Sequence, residues 1–286
     1  MKKIIILGGS TTSDYTEDSF PQQGWAHYLP KYVKESIKVR NFARAGASLK
    51  NFLFSPDYVD GKSGINKVEE CPWNRAVLPE VSEGDIVIFY WAGINDMLQS
   101  NRDSYRECTD GSFVRDWQNT VRESYIWIGE GLGTHTYFTV RSEVQEMAAL
   151  LRKMVEQVRD KKAVPIIIKG TGKYYKVHGQ DKNVLAVNRK YAEAVIDVAK
   201  DCGIEHYDIG AWLEQKFAQI GYEKVLQEYL LPISTVTQMR AERGIHKPVP
   251  LVDDNVHYNC CGAEAICREV VAQAKKSNGI LNEVLR

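Results

Sequence analysis

One stretch near the amino terminus decides the fold, and it reads Ile4-Ile5-Ile6-Leu7-Gly8-Gly9-Ser10-Thr11-Thr12-Ser13. Four consecutive apolar residues predict a strand that is buried on both faces, as in a parallel sheet. Two glycines then end the strand in a tight turn, which exposes the hydroxyl of Ser10. In open α/β sheets, ligands bind in the crevice beyond the carboxyl ends of the strands. We therefore treat Ser10 as a candidate nucleophile.

The rest of the chain alternates strand and helix patterns. Five short apolar or β-branched segments predict buried strands: Lys3–Leu7, Ile37–Phe42, Asp85–Trp91, Ala163–Lys169 and Ile204–Ile209. Four segments with apolar residues at helical spacing predict helices between or after them: Gly24–Ser36, Ser142–Asp160, Asn188–Cys202 and Gly262–Lys276. This alternation predicts an α/β fold with a doubly wound, flavodoxin-like, five-stranded parallel sheet.

Domain organisation follows from length and linker content. The chain has 286 residues and no Pro/Gly/Ser-rich linker or internal repeat, so one domain over residues 1–286 is expected. Three stretches near 55–79, 98–139 and 222–251 do not fit the alternation and predict insertions. Long insertions are usually functional. Their aromatic and basic residues suit either a substrate-facing rim or packing of the insertions themselves.

Charge and hydropathy argue against several classes of partner, although a local basic patch is compatible with a net charge of zero. Lys and Arg total 37, as do Asp and Glu, so no net basic field is available to gather nucleic acid. No segment approaches the ~20 apolar residues of a membrane span. The amino terminus has two lysines and then only a short apolar run, which lacks the length of an export signal. A cytoplasmic protein that binds neither nucleic acid nor membrane is expected.

A serine hydroxyl becomes a nucleophile when a base takes its proton and a third group orients that base. Among the six histidines, only His257 has an acid at a close offset in a turn-like stretch, Asp253-Asp254-Asn255-Val256-His257. Asp254 lies three residues before His257, from where a short loop lets its carboxylate accept the imidazole N–H. Asp253 is the alternative orienting acid.

Acyl transfer also needs hydrogen-bond donors for the developing oxyanion. Gly46 follows the second predicted strand and offers a backbone N–H, and Asn95 follows the third and offers a side-chain amide. Both lie at the strand edge predicted for Ser10. Arg44, Trp91 and Asp96 neighbour these donors and are possible substrate-binding residues.

These blocks together resemble the GDSL/SGNH hydrolases, whose motifs occur in this order and approximate spacing. The blocks are Gly8-Gly9-Ser10-Thr11, Gly46, Gly93-Ile94-Asn95-Asp96 and Asp254-Asn255-Val256-His257. Within that superfamily the chain looks most like the rhamnogalacturonan acetylesterase branch. Supporting stretches are Pro21-Gln22-Gln23-Gly24-Trp25, Asn41-Phe42-Ala43-Arg44-Ala45-Gly46-Ala47-Ser48 and the ending His257-Tyr258-Asn259.

The resemblance implies a three-layer α/β/α fold and a serine esterase that removes acyl groups, above all acetyl, from a carbohydrate. Ser10 would attack the ester, with His257 as the base and Asp254 as its orienting acid. Ser10, Gly46 and Asn95 would form the oxyanion hole. The substrate would be a small-molecule or oligosaccharide ester, with no metal and no organic cofactor. Gly9 stands where the family usually has an acid, which puts the rigidity of the turn and the rate in question.

Two alternatives remain open from the sequence. The chain could hydrolyse a lipid or a thioester, as other members of the superfamily do, although the polar and aromatic insertions do not indicate an apolar groove. It could also be a non-catalytic flavodoxin-like module whose Gly8–Ser13 turn holds a phosphate. That reading lacks the lysine of a P-loop and leaves Asp254 and His257 without a role.

Overall fold

The computed structural model describes residues 2–59, 63, 65–97, 124–129, 133–138, 141–177, 179–247 and 253–286. Its strands are β1 Lys3–Gly8, β2 Lys38–Asn41, β3 Ile86–Trp91, β4 Ser124–Gly129, β5 Gly133–Phe138, β6 Val164–Lys169, β7 Tyr174–Val177, β8 Gln180–Ala186 and β9 His206–Asp208. Its helices are α1 Leu49–Leu53, α2 Pro56–Val59, α3 Val144–Asp160, α4 Arg189–Asp201, α5 Ile209–Ile220, α6 Tyr222–Tyr229, α7 Ile233–Glu242 and α8 Cys260–Ser277.

The main sheet has five strands in the order β2-β1-β3-β6-β9, and all neighbouring pairs are parallel. This is the 2-1-3-4-5 order of flavodoxin-like doubly wound sheets, in which the chain first moves to one edge and then reverses. The predicted α/β/α fold and its five parallel strands are confirmed. The strand bounds differ from the prediction by up to two residues, with the largest difference at the start of β9.

The sheet is covered on both faces, which explains why its strands are apolar throughout. On one face, Ile5 and Leu7 of β1 pack in a cluster with residues of α3 and α4. On the other face, Ile4 and Ile6 pack in a cluster with residues of α8. All four β1 side chains have no solvent exposure. Because β1 is packed on both faces, the position of its carboxyl end is fixed by the core.

Three of the four predicted helices are confirmed as α3, α4 and α8. The prediction over Gly24–Ser36 was wrong in type and length, because the structure has a 3₁₀ helix over Trp25–Lys31. Pro30 lies inside this segment and has no N–H to donate to a preceding carbonyl, which disfavours an α-helix there. The apolar spacing was correct nevertheless, since Trp25 and Leu29 are fully buried.

The insertions contain ordered elements as well as loops. Residues 222–251 supply α6 and α7, and residues 55–79 supply α2 and several tight turns. In the latter, Trp73 is fully buried and its indole N–H donates to Gln157 at 2.9 Å, so this aromatic packs the insertion rather than facing substrate. Most of the insertion at 98–139 lies outside the described residues; within it β4 pairs with β5 as an antiparallel hairpin.

A hairpin that the sequence pattern did not indicate follows the fourth strand of the main sheet. β7 and β8 pair antiparallel, and they lie between β6 and α4. The exposed residues of β8 are polar, so its sequence lacks the apolar run of a buried strand. Tyr174, the first residue of β7, accepts a hydrogen bond from the side chain of Asn255 in the loop that carries His257. Among the residues that the structure describes, no helix is long and apolar enough to cross a membrane.

Gly24 supports the turn after β1 by a close backbone approach. A β-carbon built at this position would overlap the backbone atoms of Thr12 and Ser13. We expect Gly24→Ala to destabilise the protein by about 2–3 kcal/mol, because backbone cannot move aside as a flexible side chain can. Gly9→Ala is the matched control, because a β-carbon at position 9 has room. Its nearest neighbour would be the Asn95 amide nitrogen, at the ordinary contact distance of 3.4 Å.

The control variant should stay within about 1 kcal/mol of the parent protein in chemical denaturation. Equal stability of the two variants would show that the backbone at Thr12 and Ser13 can yield, contrary to the close packing described above.

Candidate active site

Ser10 lies in a turn that is held by its own backbone. The carbonyl of Gly9 accepts hydrogen bonds from the backbone N–H groups of Thr12 at 3.0 Å and Ser13 at 3.2 Å, and from the Ser13 hydroxyl at 3.1 Å. The phenol of Tyr15 donates to the Ser10 carbonyl at 3.0 Å. The Ser10 side chain therefore projects from a fixed frame at the carboxyl end of β1.

The missing family acid at Gly9 raised a question about the rigidity of this turn. The three hydrogen bonds to the Gly9 carbonyl brace the turn without a side chain at that residue. The Arg44 backbone N–H also donates to the Gly8 carbonyl at 2.9 Å, which ties the turn to the segment after β2. The turn is thus supported through backbone groups that any residue at position 9 would supply.

His257 and Asp254 meet Ser10 from the other end of the chain. The Ser10 hydroxyl lies 2.7 Å from His257 Nε2, and His257 Nδ1 lies 2.6 Å from Asp254 Oδ2. One ring nitrogen of His257 therefore faces a hydroxyl and the other faces a carboxylate. Ser10 and His257 are nearly the whole sequence apart, and the fold brings them into contact. The three side chains that the sequence singled out are brought together.

The Asp254 loop is shaped by its own carboxylate. Asp254 Oδ1 accepts hydrogen bonds from the backbone N–H groups of Val256 at 2.9 Å and His257 at 3.1 Å. The Asp254 backbone exchanges two hydrogen bonds with Leu231, at 3.1 and 3.2 Å. One carboxylate oxygen thus builds the turn and the other contacts the imidazole.

Asp253, the alternative orienting acid, has a different role. Its carboxylate accepts the backbone N–H of Ile233 at 2.7 Å, at the first residue of α7. An acid at a helix amino terminus satisfies a backbone donor that the helix leaves without a partner. Of the two adjacent acids, Asp254 contacts His257 and Asp253 caps α7.

The electrostatics of the pair favour a charged Asp254. Burial acts to raise the pKa of this carboxyl, but the charge of His257 and the hydrogen bonds from residues 256 and 257 hold it well below its usual range. Burial acts to lower the pKa of His257, but the charge of Asp254 and its hydrogen bond outweigh burial and raise it. The Asp254 carboxylate therefore stabilises the imidazolium that forms when His257 takes a proton.

The side chain of Tyr258 anchors the loop of His257 to the core. Its phenol lies 2.8 Å from the phenol of Tyr90 on β3 and makes a short hydrogen bond with the Thr171 hydroxyl. All three side chains are buried, and burial raises the pKa of Tyr90 to about 12. The network is neutral at ordinary pH and anchors the residue next to His257 in the core.

The candidate oxyanion donors, Gly46 and Asn95, lie in segments that adjoin the turn of Ser10. Gly46 has a φ of 73°, the left-handed region that favours glycine, in a turn closed by the Ala47 N–H on the Arg44 carbonyl at 3.1 Å. The Asn95 amide donates to the Ala47 carbonyl at 3.0 Å. The same amide lies 3.4 Å from the position of a β-carbon on Gly9. Asn95 thus links the Gly46 turn to the turn of Ser10.

Asp96 and Trp91 support this arrangement from within the core. Asp96 has no exposed surface and accepts hydrogen bonds from the Trp91 indole at 2.7 Å and from the Leu49 backbone N–H at 2.8 Å. Burial raises the pKa of Asp96 to about 6. Trp91 is only 4% exposed. Both residues join the segment of Asn95 to α1, and their burial argues against contact with substrate.

Arg44, which the sequence indicated as a possible substrate-binding residue, is also buried and does not face solvent. It is buried, its guanidinium lies 5.6 Å from the centre of the Phe52 ring, and it donates to the Asn51 carbonyl at 3.4 Å. The cation that the sequence offered for substrate binding thus packs against α1.

Several residues of the site were given no role by the sequence interpretation. They support the turn of Ser10 or the loop of His257 through hydrogen bonds: Tyr15, Asn41, Tyr90, Thr171, Asn255 and Tyr258. Asn41 donates to the Thr12 carbonyl at 2.9 Å, and Asn255 donates to the Tyr174 carbonyl at 2.8 Å. The available signal was the concentration of polar and aromatic residues around His257, where Asn255, Tyr258 and Asn259 all make side-chain hydrogen bonds.

The fold and the site together define a flavodoxin-like α/β domain that carries a hydrogen-bonded serine, histidine and aspartate at the carboxyl edge of its sheet. The chain belongs to the GDSL-like lipase/acylhydrolase family, whose model matches residues 6–224. The resemblance drawn from the sequence blocks is confirmed at this level.

Two comparisons extend the family assignment. The chain is 29% identical over 126 residues to rhamnogalacturonan acetylesterase RhgT of Bacillus subtilis, which covers 43% of this chain and 46% of that protein. The crystal structure of the Bacillus subtilis protein YxiM matches with a TM-score of 0.61 at 20% identity, covering 98% of this chain and 57% of that chain. The chain thus spans about half the length of each of these relatives, and the structural match supports the fold.

Proposed function

We propose that this protein is a serine esterase that removes acetyl groups from a carbohydrate. The observation that carries the proposal is the continuous chain of contacts from Ser10 through His257 to Asp254, at 2.7 and 2.6 Å. A hydroxyl, an imidazole and a carboxylate in this order form the arrangement that activates serine for attack on an ester. The carbohydrate and the acetyl group are inferred from the sequence blocks and from the partial match to RhgT.

In the first half of the reaction, the Ser10 oxygen attacks the acetyl carbonyl carbon and its proton passes to His257 Nε2. The negative charge moves to the carbonyl oxygen, where the backbone N–H groups of Ser10 and Gly46 and the Asn95 amide stabilise it. The bond to the sugar oxygen then breaks, and His257 returns the proton to that oxygen. The products are the free sugar hydroxyl and an acetyl group on Ser10.

In the second half, water attacks the acetyl-enzyme. His257 takes a proton from the water, and a second tetrahedral intermediate forms with its charge in the same place. Cleavage of the bond to the Ser10 oxygen releases acetic acid, and the proton on His257 restores the Ser10 hydroxyl. Throughout the cycle, Asp254 remains ionised and holds the ring in one orientation.

The turn around Ser10 is a poor phosphate site, which argues against the binding-module alternative. A phosphate-binding turn directs several free backbone N–H groups at the anion, usually at the start of a helix. Here the N–H groups of Thr12 and Ser13 donate to the Gly9 carbonyl. Within the described residues, no α-helix begins directly after this turn.

Substrate chain length and covalent trapping test the proposal together. We expect hydrolysis of acetyl esters to exceed that of octanoyl esters, and we expect an organophosphonate to modify Ser10, as read by peptide mass spectrometry. The His257→Ala variant should label far more slowly, because the Ser10 proton then has no acceptor. Preference for octanoyl esters would favour the lipid or thioester alternative. Phosphate binding without labelling or hydrolysis would instead support the binding module.

A further inference from the structure

Two adjacent side chains, Asn95 and Asp96, bind the backbone of the segment that follows β2. The Asn95 amide donates to the Ala47 carbonyl at 3.0 Å. The Asp96 carboxylate accepts the Leu49 N–H at 2.8 Å. One contact uses a backbone acceptor of that segment and the other uses a backbone donor. Together they fix the position and the direction of the segment, which also carries Gly46.

The contact with Ala47 orients the amide of Asn95. A primary amide nitrogen has two N–H groups. Because the Ala47 carbonyl holds one of them, the second N–H keeps a single direction. The amide nitrogen lies 3.4 Å from the position of a β-carbon on Gly9, the residue before Ser10. The direction of this candidate oxyanion donor therefore depends on where the Ala47 carbonyl lies.

Asp96 holds the segment of Ala47 at the start of α1. Leu49 is the first residue of that helix, where the backbone N–H groups have no partner within the helix. The second carboxylate oxygen of Asp96 accepts the Trp91 indole N–H at 2.7 Å, and the residue has no exposed surface. Because both oxygens accept from N–H groups, the ionised carboxylate is the form that fits. Burial raises the pKa of Asp96 to about 6, so the group is ionised above that pH.

We propose that Asp96 is a positioning residue of the oxyanion hole, which acts through Asn95 and through the segment that carries Gly46. This inference rests on the proposed esterase function and adds a residue to its machinery. The oxyanion forms only in the transition state and the tetrahedral intermediates. Displacement of its donors therefore lowers kcat and leaves the binding of the intact ester unchanged.

Asp96→Asn tests this role, because the asparagine amide turns an N–H donor towards one of the two N–H groups that Asp96 accepts. In assays above neutral pH, we expect kcat on an acetyl ester to fall by about 10- to 100-fold while KM stays near the parent value. A trifluoromethyl ketone supplies a second readout. Ser10 adds to its carbonyl carbon, the Ser10 proton passes to His257, and the ketone oxygen becomes an oxyanion. The affinity for this ketone should fall by a factor similar to that of kcat.

Asp85→Asn is the matched control at the other end of β3. Asp85 is 1% exposed, and its carboxylate accepts the backbone N–H groups of Lys3 at 2.8 Å and Ser82 at 2.9 Å. An asparagine at position 85 therefore meets the same mismatch of donors as one at position 96. We expect both variants to unfold at lower denaturant concentration than the parent protein. Only Asp96→Asn should lose kcat and affinity for the ketone.

A second pair of variants removes the backbone donor and leaves Asp96 intact. Proline has no N–H and is tolerated at the first position of a helix. Ser48 precedes this position and has the extended backbone that a following proline requires, with φ −91° and ψ 172°. Leu49→Pro should lower kcat as Asp96→Asn does. Leu49→Val shortens the same buried side chain but keeps the N–H, so its kcat should stay near the parent value.

The outcomes separate this proposal from the esterase function. An unchanged kcat in folded Asp96→Asn, a loss confined to KM, or equal losses of kcat in Asp96→Asn and Asp85→Asn would overturn the positioning role and leave the esterase in place. If Asp96→Asn does not fold, equal kcat values for Leu49→Pro and Leu49→Val would overturn it instead. Absence of acetyl ester hydrolysis by the folded parent protein would overturn the esterase itself.

Discussion

Ser10→Ala should lower kcat on an acetyl ester by about 10⁵- to 10⁶-fold, the range expected when a serine nucleophile is removed and only the binding and oxyanion groups remain. The reason is that the alanine methyl group cannot form the acyl-enzyme, while His257 and Asp254 have no other nucleophile to activate at this position. The double variant Ser10→Ala, His257→Ala should be little worse than either single variant, because the two side chains act as one unit.

Single-turnover and steady-state hydrolysis of the acetyl ester measure this effect, with thermal unfolding as the check on the fold. Ser10 is only partly buried and its side chain contacts His257, so the alanine variant should unfold near the temperature of the parent protein. Hydrolysis by the folded Ser10→Ala variant at more than about a hundredth of the parent rate would contradict a serine nucleophile, because residual catalysis without it is far smaller.

Asp254→Asn should lower kcat by about 10⁴-fold, because an asparagine leaves the imidazole in the wrong tautomer and provides no negative charge for the imidazolium. The neighbouring substitution Asp253→Asn is the matched control. Asp253 accepts the Ile233 N–H at the start of α7, and asparagine caps a helix about as well as aspartate. We therefore expect Asp253→Asn to stay within about threefold of the parent rate, since its carboxylate does not contact His257.

The pH profile separates this electrostatic role from simple damage to the loop. In the parent protein, Asp254 raises the pKa of His257, and kcat/KM falls as the pH drops through that pKa because a protonated His257 cannot accept the Ser10 proton. Asp254→Asn removes the charge, so the pKa of His257 falls and the acid limb moves to lower pH. An unchanged acid limb in Asp254→Asn, or equal rate losses for the two asparagine variants, would assign the orienting role elsewhere.

The sequence predicted the sheet because β1 and its neighbours are buried on both faces. Double burial leaves an apolar run such as Ile4–Leu7, which has few other interpretations when glycines end it. The hairpin β7–β8 was not predicted, since its exposed strand is polar and its stability comes from pairing and from contacts with α5 and α6. The 3₁₀ helix at Trp25–Lys31 kept the predicted burial but not the predicted hydrogen bonding.

The candidate site likewise has residues that the sequence could predict and a choice that it could not make. Ser10, His257, Gly46 and Asn95 could be singled out because each follows a strand end or precedes a helix, and those positions converge at one edge of a parallel sheet. The choice between Asp253 and Asp254 could not be made from spacing. Adjacent residues in a turn point in different directions, and the backbone pairing of Asp254 with Leu231 decides which carboxylate reaches the imidazole.

By itself, the sequence determined that this chain forms a doubly wound α/β sheet with a serine at the end of its first strand, because local patterns of burial and turn chemistry suffice for that. The tertiary structure alone decided which charged groups surround that serine. It buried Arg44 against Phe52, placed the Asp253 carboxylate at α7 and the Asp254 carboxylate at His257, and set the segment after β6 against the His257 loop. Such contacts depend on how elements pack, and no spacing along the chain encodes them.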